Sequence, residues 1–208
     1  MSIQNISNKT ALILLAGGMA RRMGSLKQLL PLGYSTIMGI TLDNVMASNA
    51  EEVIVVVGAM AEKTSEIAKM VKAEVVNNPD YMRGMSTSLR QGLGRAGHDC
   101  QLFMIALADQ PLTETKTYNL LLREAGASSK GITIPVYNGQ QGNPIVFKRR
   151  YLWDLLSLKG DVGGRELLLH FPEDILKVEV NDPGVLTNIN TPADYELLKL
   201  QYAKRSMP

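Results

Sequence analysis

Apolar residues in this chain fall into short continuous runs, and between the runs they recur every three or four positions, the alternation of buried strands with amphipathic helices. Ala11 to Ala16, Val53 to Val57, Glu74 to Val76 and Leu102 to Ala106 read as strands. Ile37, Ile40, Leu42, Val45 and Met46 mark a helix after Ser35, and Ile67, Ala68, Met70 and Val71 mark another. A third helix runs from Ser86 to Gly94, entered through Ser86, and Thr113 caps a fourth that reaches about Gly126. This order predicts an α/β fold, a mostly parallel sheet flanked by helices. In the second half, Gly131 to Pro135 and Pro144 to Phe147 read as strands, and Arg149 to Leu158 and Asp161 to His170 as helices. Thr191-Pro192-Ala193-Asp194 combines an N-cap, a proline at the first helical position and an acid at the third, so a last helix runs to about Ala203. No internal repeat or linker interrupts the 208 residues, which predicts a single domain over 1–208.

Composition narrows the function classes. A net charge of +2 without a basic block implies neither a nucleic-acid nor a membrane partner. Met1 to Thr10 is polar and no long apolar run follows, so the expectation is a cytoplasmic enzyme. The single cysteine, Cys100, excludes an internal disulfide and a cysteine-based metal cluster; it reads as a small apolar residue, and His98 and His170 as structural.

Chemistry concentrates after the first strand. Leu15-Ala16-Gly17-Gly18 leads to Arg21, Arg22, Gly24 and Lys27, joining a buried strand to a glycine turn whose amides can face an anion, with cations close behind. A Walker A loop would place Ser or Thr directly after the lysine, where Gln28 stands, and a dinucleotide turn needs G-x-G-x-x-G, so this is a polyphosphate loop of another kind. Open α/β sheets bind ligands at the carboxyl ends of their strands, which singles out Asp109 in Ala108-Asp109-Gln110-Pro111 as a candidate Mg²⁺ ligand. Gly84, Ser86 and Ser88 lie in the loop entering the third helix, whose N-terminus can hold an anion or read a base edge. Gly142-Asn143-Pro144, Gly160-Asp161 with Gly164-Arg165, and Asn188-Ile189-Asn190-Thr191 would form the opposite wall of the same cleft.

Taken together, these residues make the chain similar to the MobA-like nucleotidyltransferases, and within them to the branch that cytidylylates molybdenum cofactor. The family loop L-A-[AG]-G-x-x-x-R-M-G-x-x-K-x-L-L-P is matched in order by Leu15 to Pro31. The resemblance implies a Rossmann-like sheet with nucleotide on the N-terminal half and a pterin acceptor on the C-terminal half. It implies Leu15, Ala16, Gly17 and Gly18 as nucleotide contacts, Arg22 and Lys27 as phosphate contacts, and Asp109 as the magnesium aspartate. Asn78-Pro79-Asp80-Tyr81, Gly84, Ser86, Ser88 and the Gly160-Asp161, Gly164-Arg165 segment follow the cytidylyl branch. Gly142, Asn143, Pro144, Asp161 and Arg165 would then hold the acceptor. The reaction implied is transfer of CMP from CTP to the pterin cofactor with release of pyrophosphate, the product passing to a molybdenum hydroxylase. Two features depart from that branch. Gly17 stands where alanine is usual and, lacking a Cβ, leaves more room for a purine, and Asn188 and Asn190 replace two aspartates, making Asn190 a neutral metal ligand. GTP in place of CTP, a sugar-phosphate acceptor, and a catalytically silent nucleotide-binding regulator stay open as alternatives.

Overall fold

The computed structural model describes residues 9–17 and 27–205. In chain order its elements are β1 (Thr10–Leu15), the two-residue strands β2 (Pro31–Leu32) and β3 (Ser35–Thr36), α1 (Ile37–Met46), β4 (Glu52–Val57), α2 (Ala61–Met70), β5 (Glu74–Asn77), α3 (Met85–Arg95) and β6 (Leu102–Leu107). The second half adds α4 (Thr115–Ala127), β7 (Ile132–Tyr137), β8 (Gln140–Gln141), β9 (Ile145–Lys148), α5 (Leu152–Ser157), α6 (Leu167–His170), β10 (Ile175–Glu179) and α7 (Pro192–Arg205). One eight-stranded sheet runs in the order β10-β7-β9-β6-β1-β4-β5, with β8 beside β7. β5, β4, β1 and β6 are mutually parallel, whereas β9 runs antiparallel to both β6 and β7. The sheet is therefore mixed, parallel across the half built by the N-terminal strands.

β1 lies at the centre of that parallel half, and all six of its residues are buried. Its side chains alternate between two cores. Ala11, Ile13 and Leu15 pack with Leu89, Phe103 and Leu155 under α3 and α5, while Leu12 and Leu14 pack with Met38, Leu42 and Leu121 under α1 and α4. A strand buried on both faces has no polar side, which is why it reads as a continuous apolar run. Leu32, Ile37, Leu112, Ile189 and Leu198 form a third, smaller cluster that clamps α7 over the β2–β3 hairpin. Cys100 is buried in the first core as expected, and burial pushes its thiol up to about 11.

Several expectations need correction. Asp161 to His170 is not one helix: only Gly164–Glu166 and Leu167–His170 coil, in two short turns. The strand β10 was not foreseen, because its half-exposed edge position leaves no apolar run to read. Thr113 does not cap α4. Glu114 occupies the N-cap without a side-chain bond, and Asp182, distant in sequence, takes over by accepting from the Glu114 N–H at 2.9 Å and the Thr117 hydroxyl at 2.7 Å. Ser86 is not a cap either: α3 begins at Met85, after Gly84.

Candidate active site

The carboxyl edge of the parallel strands gathers most of the residues singled out by sequence. The ladder continues past the strands, with Ala16 N–H donating to Val56 O at 2.8 Å, Ala108 N–H to Leu15 O at 3.1 Å and Asn78 N–H to Val57 O at 2.8 Å. The peptides of Ala16, Asn78 and Ala108 are thus fixed as rigidly as the sheet. Leu15, Ala16 and Gly17 are at this edge; Gly18 and Arg22, with Arg21 and Gly24, lie outside the described residues. Lys27 comes back into the site on a short 3-10 turn, Lys27–Leu29. Its Nζ sits 2.5 Å from Asp109 Oδ2, and only 12% of the aspartate side chain is exposed. A cation and an acid expected to share one cleft are in contact.

The wall opposite Gly17 is built by α3 and Asn78. The fully buried Asn78 amide donates to Thr87 Oγ1 at 2.8 Å and Ser88 Oγ at 2.9 Å, and its carbonyl oxygen accepts from Asp80 N–H at 3.0 Å. Thr87 in turn donates to Gly84 O at 2.8 Å. Ser88 is thereby held where a Cβ on Gly17 would stand 3.0 Å from its hydroxyl. Ser88 therefore occupies the space that a side chain at position 17 would enter. Gly58 is a further residue of this wall that sequence reasoning missed. A Cβ there would lie 2.6 Å from Tyr81 Cβ and 3.1 Å from Gly17 O, and a lone glycine after a strand carried no chemical signal. The Ser86 hydroxyl is fully buried and has no hydrogen-bond partner among the described residues.

Gly142, Asn143, Pro144 and Arg165 also come together. Arg165 Nη2 donates to Gly142 O at 2.9 Å and lies 3.4 Å from Asn143 Oδ1. Among the described residues no carboxylate pairs with this guanidinium, and its desolvation lowers its pKa. Its charge is left uncompensated, the state that favours an anionic ligand. The cluster joins the Asp109 loop through one carbonyl: Val185 O accepts from Asn143 N–H at 3.0 Å and from Gln110 Nε2 at 3.3 Å. Asp161 does not join it, and instead accepts from the Met85 N–H at the head of α3, at 3.2 Å.

Asn188 and Asn190 are exposed on either side of buried Ile189, where α7 begins. Asp194 Oδ2 accepts from the N–H groups of Asn190 and Thr191 at 2.9 and 2.8 Å, and the Asp194 N–H donates to Thr191 Oγ1 at 3.1 Å, the capping arrangement expected. These hydrogen bonds, from the Asn190 backbone first, hold the Asp194 carboxyl below its usual range, and Lys27 is near enough to add to the shift. The asparagine loop is therefore within reach of Lys27's charge. The Asp109 carboxylate and the side-chain oxygens of Asn188 and Asn190 are hard donors of the kind a divalent ion accepts alongside phosphates and water. A second acidic group, Glu52, Asp99 and Cys100, lies at the opposite edge of the sheet. Lys9 already bridges it, 2.8 Å from Glu52 and 2.9 Å from Asp99.

An acid and a lysine in contact at the carboxyl edge of a parallel α/β sheet, next to Gly17, stand where open α/β sheets bind their ligands. Residues 12–175 match the model of the MobA-like NTP transferase domain, and the chain belongs to that family of nucleotidyltransferases. It is 25% identical over 193 residues to the molybdenum cofactor cytidylyltransferase of Escherichia coli (strain K12), covering 92% of this chain and 96% of that protein. It is 27% identical over 187 residues to nicotine blue oxidoreductase of Paenarthrobacter nicotinovorans, covering 86% and 91%. The solved structure of Rv0371c of Mycobacterium tuberculosis H37Rv in complex with manganese superposes with a TM-score of 0.77 at 26% identity, covering 92% of this chain and 98% of that one. No helix among the described residues is long and apolar enough to cross a membrane.

Proposed function

We propose that the enzyme transfers CMP from CTP to the phosphate of a molybdenum-bearing pterin cofactor and releases pyrophosphate. The observation that carries this reading is the Lys27–Asp109 contact at the same carboxyl edge as Gly17 and the Ser88 hydroxyl that Asn78 holds. In the reaction an acceptor phosphate oxygen bonds to the α-phosphorus in line as the bond to the β-phosphate oxygen breaks, so no covalent enzyme intermediate and no redox partner is needed. Lys27 meets charge growing on the α-phosphoryl group, and Arg22 assists on the leaving pyrophosphate. Asp109, with Asn190 as a neutral oxygen donor, would hold Mg²⁺, which when bound neutralises charge on the phosphate oxygens. Leu15, Ala16, Gly17, Gly18, Gly84, Ser86 and Ser88 enclose the nucleoside. Gly142, Asn143, Pro144 and the uncompensated Arg165 receive the anionic pterin, whose onward partner is a molybdenum hydroxylase.

CTP is favoured over GTP because Ser88, fixed by Asn78, offers a short hydroxyl beside Gly17 for a small pyrimidine edge, and a site that satisfies one base edge leaves groups unpaired with the other. The test is pyrophosphate release with Mg²⁺, molybdenum cofactor and each of CTP, GTP, ATP and UTP. The expected result is the highest kcat/KM for CTP. A preference for GTP would overturn the base assignment, and turnover only with sugar phosphates would overturn the acceptor.

A further inference from the structure

The N-terminus of α3 is closed by a loop from the other half of the chain. Gly84 holds φ at 109°, and a Cβ there would stand 2.4 Å from the Gly160 carbonyl, so the two backbones touch. Gly160 O accepts from the Ser86 N–H at 3.2 Å, and Leu158 O accepts from Arg90 Nη1 at 2.6 Å. Asp161 Oδ1 accepts from the Met85 N–H. It is the carboxylate of this latch, placed where a helix dipole favours negative charge, while Gly84 itself offers no side-chain cap. The latched turn carries Ser86 and Ser88.

We propose that Asp161 is a positioning residue for nucleotide recognition: by capping α3 from the acceptor half, it holds the first turn of that helix against Gly17 and does not itself bind the acceptor. This rests on the assignment of that turn to the nucleoside. With the Asp161 bond gone, the Met85 N–H loses its partner and the first turn loosens against Asn78 and Gly17. The same segment ends at Arg165, so a single loop ties the two substrate walls together.

The test uses full-length Asp161→Ala, Asp161→Asn and Ser88→Ala, with CTP affinity measured by calorimetry in Mg²⁺ and the acceptor KM measured at saturating CTP. Asp161→Ala is expected to raise the CTP Kd about fivefold, or about 1 kcal/mol at 1.4 kcal/mol per tenfold, the scale of a lost N-cap. Asp161→Asn should recover most of this, since an amide oxygen still accepts from Met85, and the acceptor KM should move less than about twofold. A raised acceptor KM with unchanged CTP affinity would overturn the proposal, as would an Asp161→Ala enzyme indistinguishable from the parent. Ser88→Ala separates the two layers. If it weakens CTP binding while Asp161→Ala does not, the positioning role alone fails; if Ser88→Ala leaves CTP affinity untouched, the nucleoside wall and the positioning role fall together.

Discussion

Removing the Lys27 side chain should slow turnover far more than it destabilises the fold, and the geometry of its contact with Asp109 sets both magnitudes. The ammonium lies 2.5 Å from the carboxylate, with the side chains 26% and 12% exposed. Gross attraction for such a pair is several kcal/mol at an effective dielectric of about 20, but desolvation and side-chain ordering offset most of it and leave about 1 kcal/mol for a partly exposed pair. In a domain of this size that corresponds to a Tm loss of about 2–4 °C. Loss of one preorganised donor to transition-state charge, by contrast, costs about 10²–10³ in rate. Lys27→Ala should therefore lower kcat for pyrophosphate release about 10²–10³-fold while raising the nucleotide Kd less than about tenfold. Stopped-time assays at saturating nucleotide, calorimetric Kd and a melting curve read the three quantities separately. Combining Lys27→Ala with Asp109→Asn should cost much less than the product of the two single losses, because both act at one reacting centre. A kcat within about threefold of the parent in a folded Lys27→Ala protein would refute the reasoning and return Lys27 to a surface ion pair.

Asp109→Asn is expected to abolish Mg²⁺-dependent turnover with the fold intact, since the strand end is held by backbone bonds and not by the carboxylate; persistence of activity at ordinary Mg²⁺ concentrations would move the metal ligand elsewhere. Gly17→Ala should weaken CTP binding about three- to tenfold, because its Cβ presses on a Ser88 hydroxyl 3.0 Å away that Asn78 keeps from turning aside; tighter GTP binding in that variant would contradict the wall described. Asn78→Ala removes bonds to Thr87, Ser88 and Asp80 and leaves buried groups unpaired, which should cost about 2–3 kcal/mol and be read as a lower Tm by differential scanning calorimetry.

Local pattern alone determined the central parallel strands, Thr10–Leu15 and Leu102–Leu107, because strands covered on both faces must be apolar throughout. It also determined the start of α7, where Thr191 and Asp194 cap each other across one turn, and it put Lys27 and Asp109 on the carboxyl side of their strands. That the two touch was decided by the tertiary structure, through the return of the chain at Lys27–Leu29. The same holds for the caps of α3 and α4. Their acids, Asp161 and Asp182, lie on the far side of the sequence, so the nearby Ser86 and Thr113 drew the local reading. Strand β10 was invisible for a related reason: an edge strand with half-exposed faces gains its stability from pairing with β7, a partner that periodicity cannot report. Gly17 shows the limit most plainly. Its missing Cβ is written in the sequence, but whether that space admits a larger base or is taken by Ser88 depends on where α3 packs.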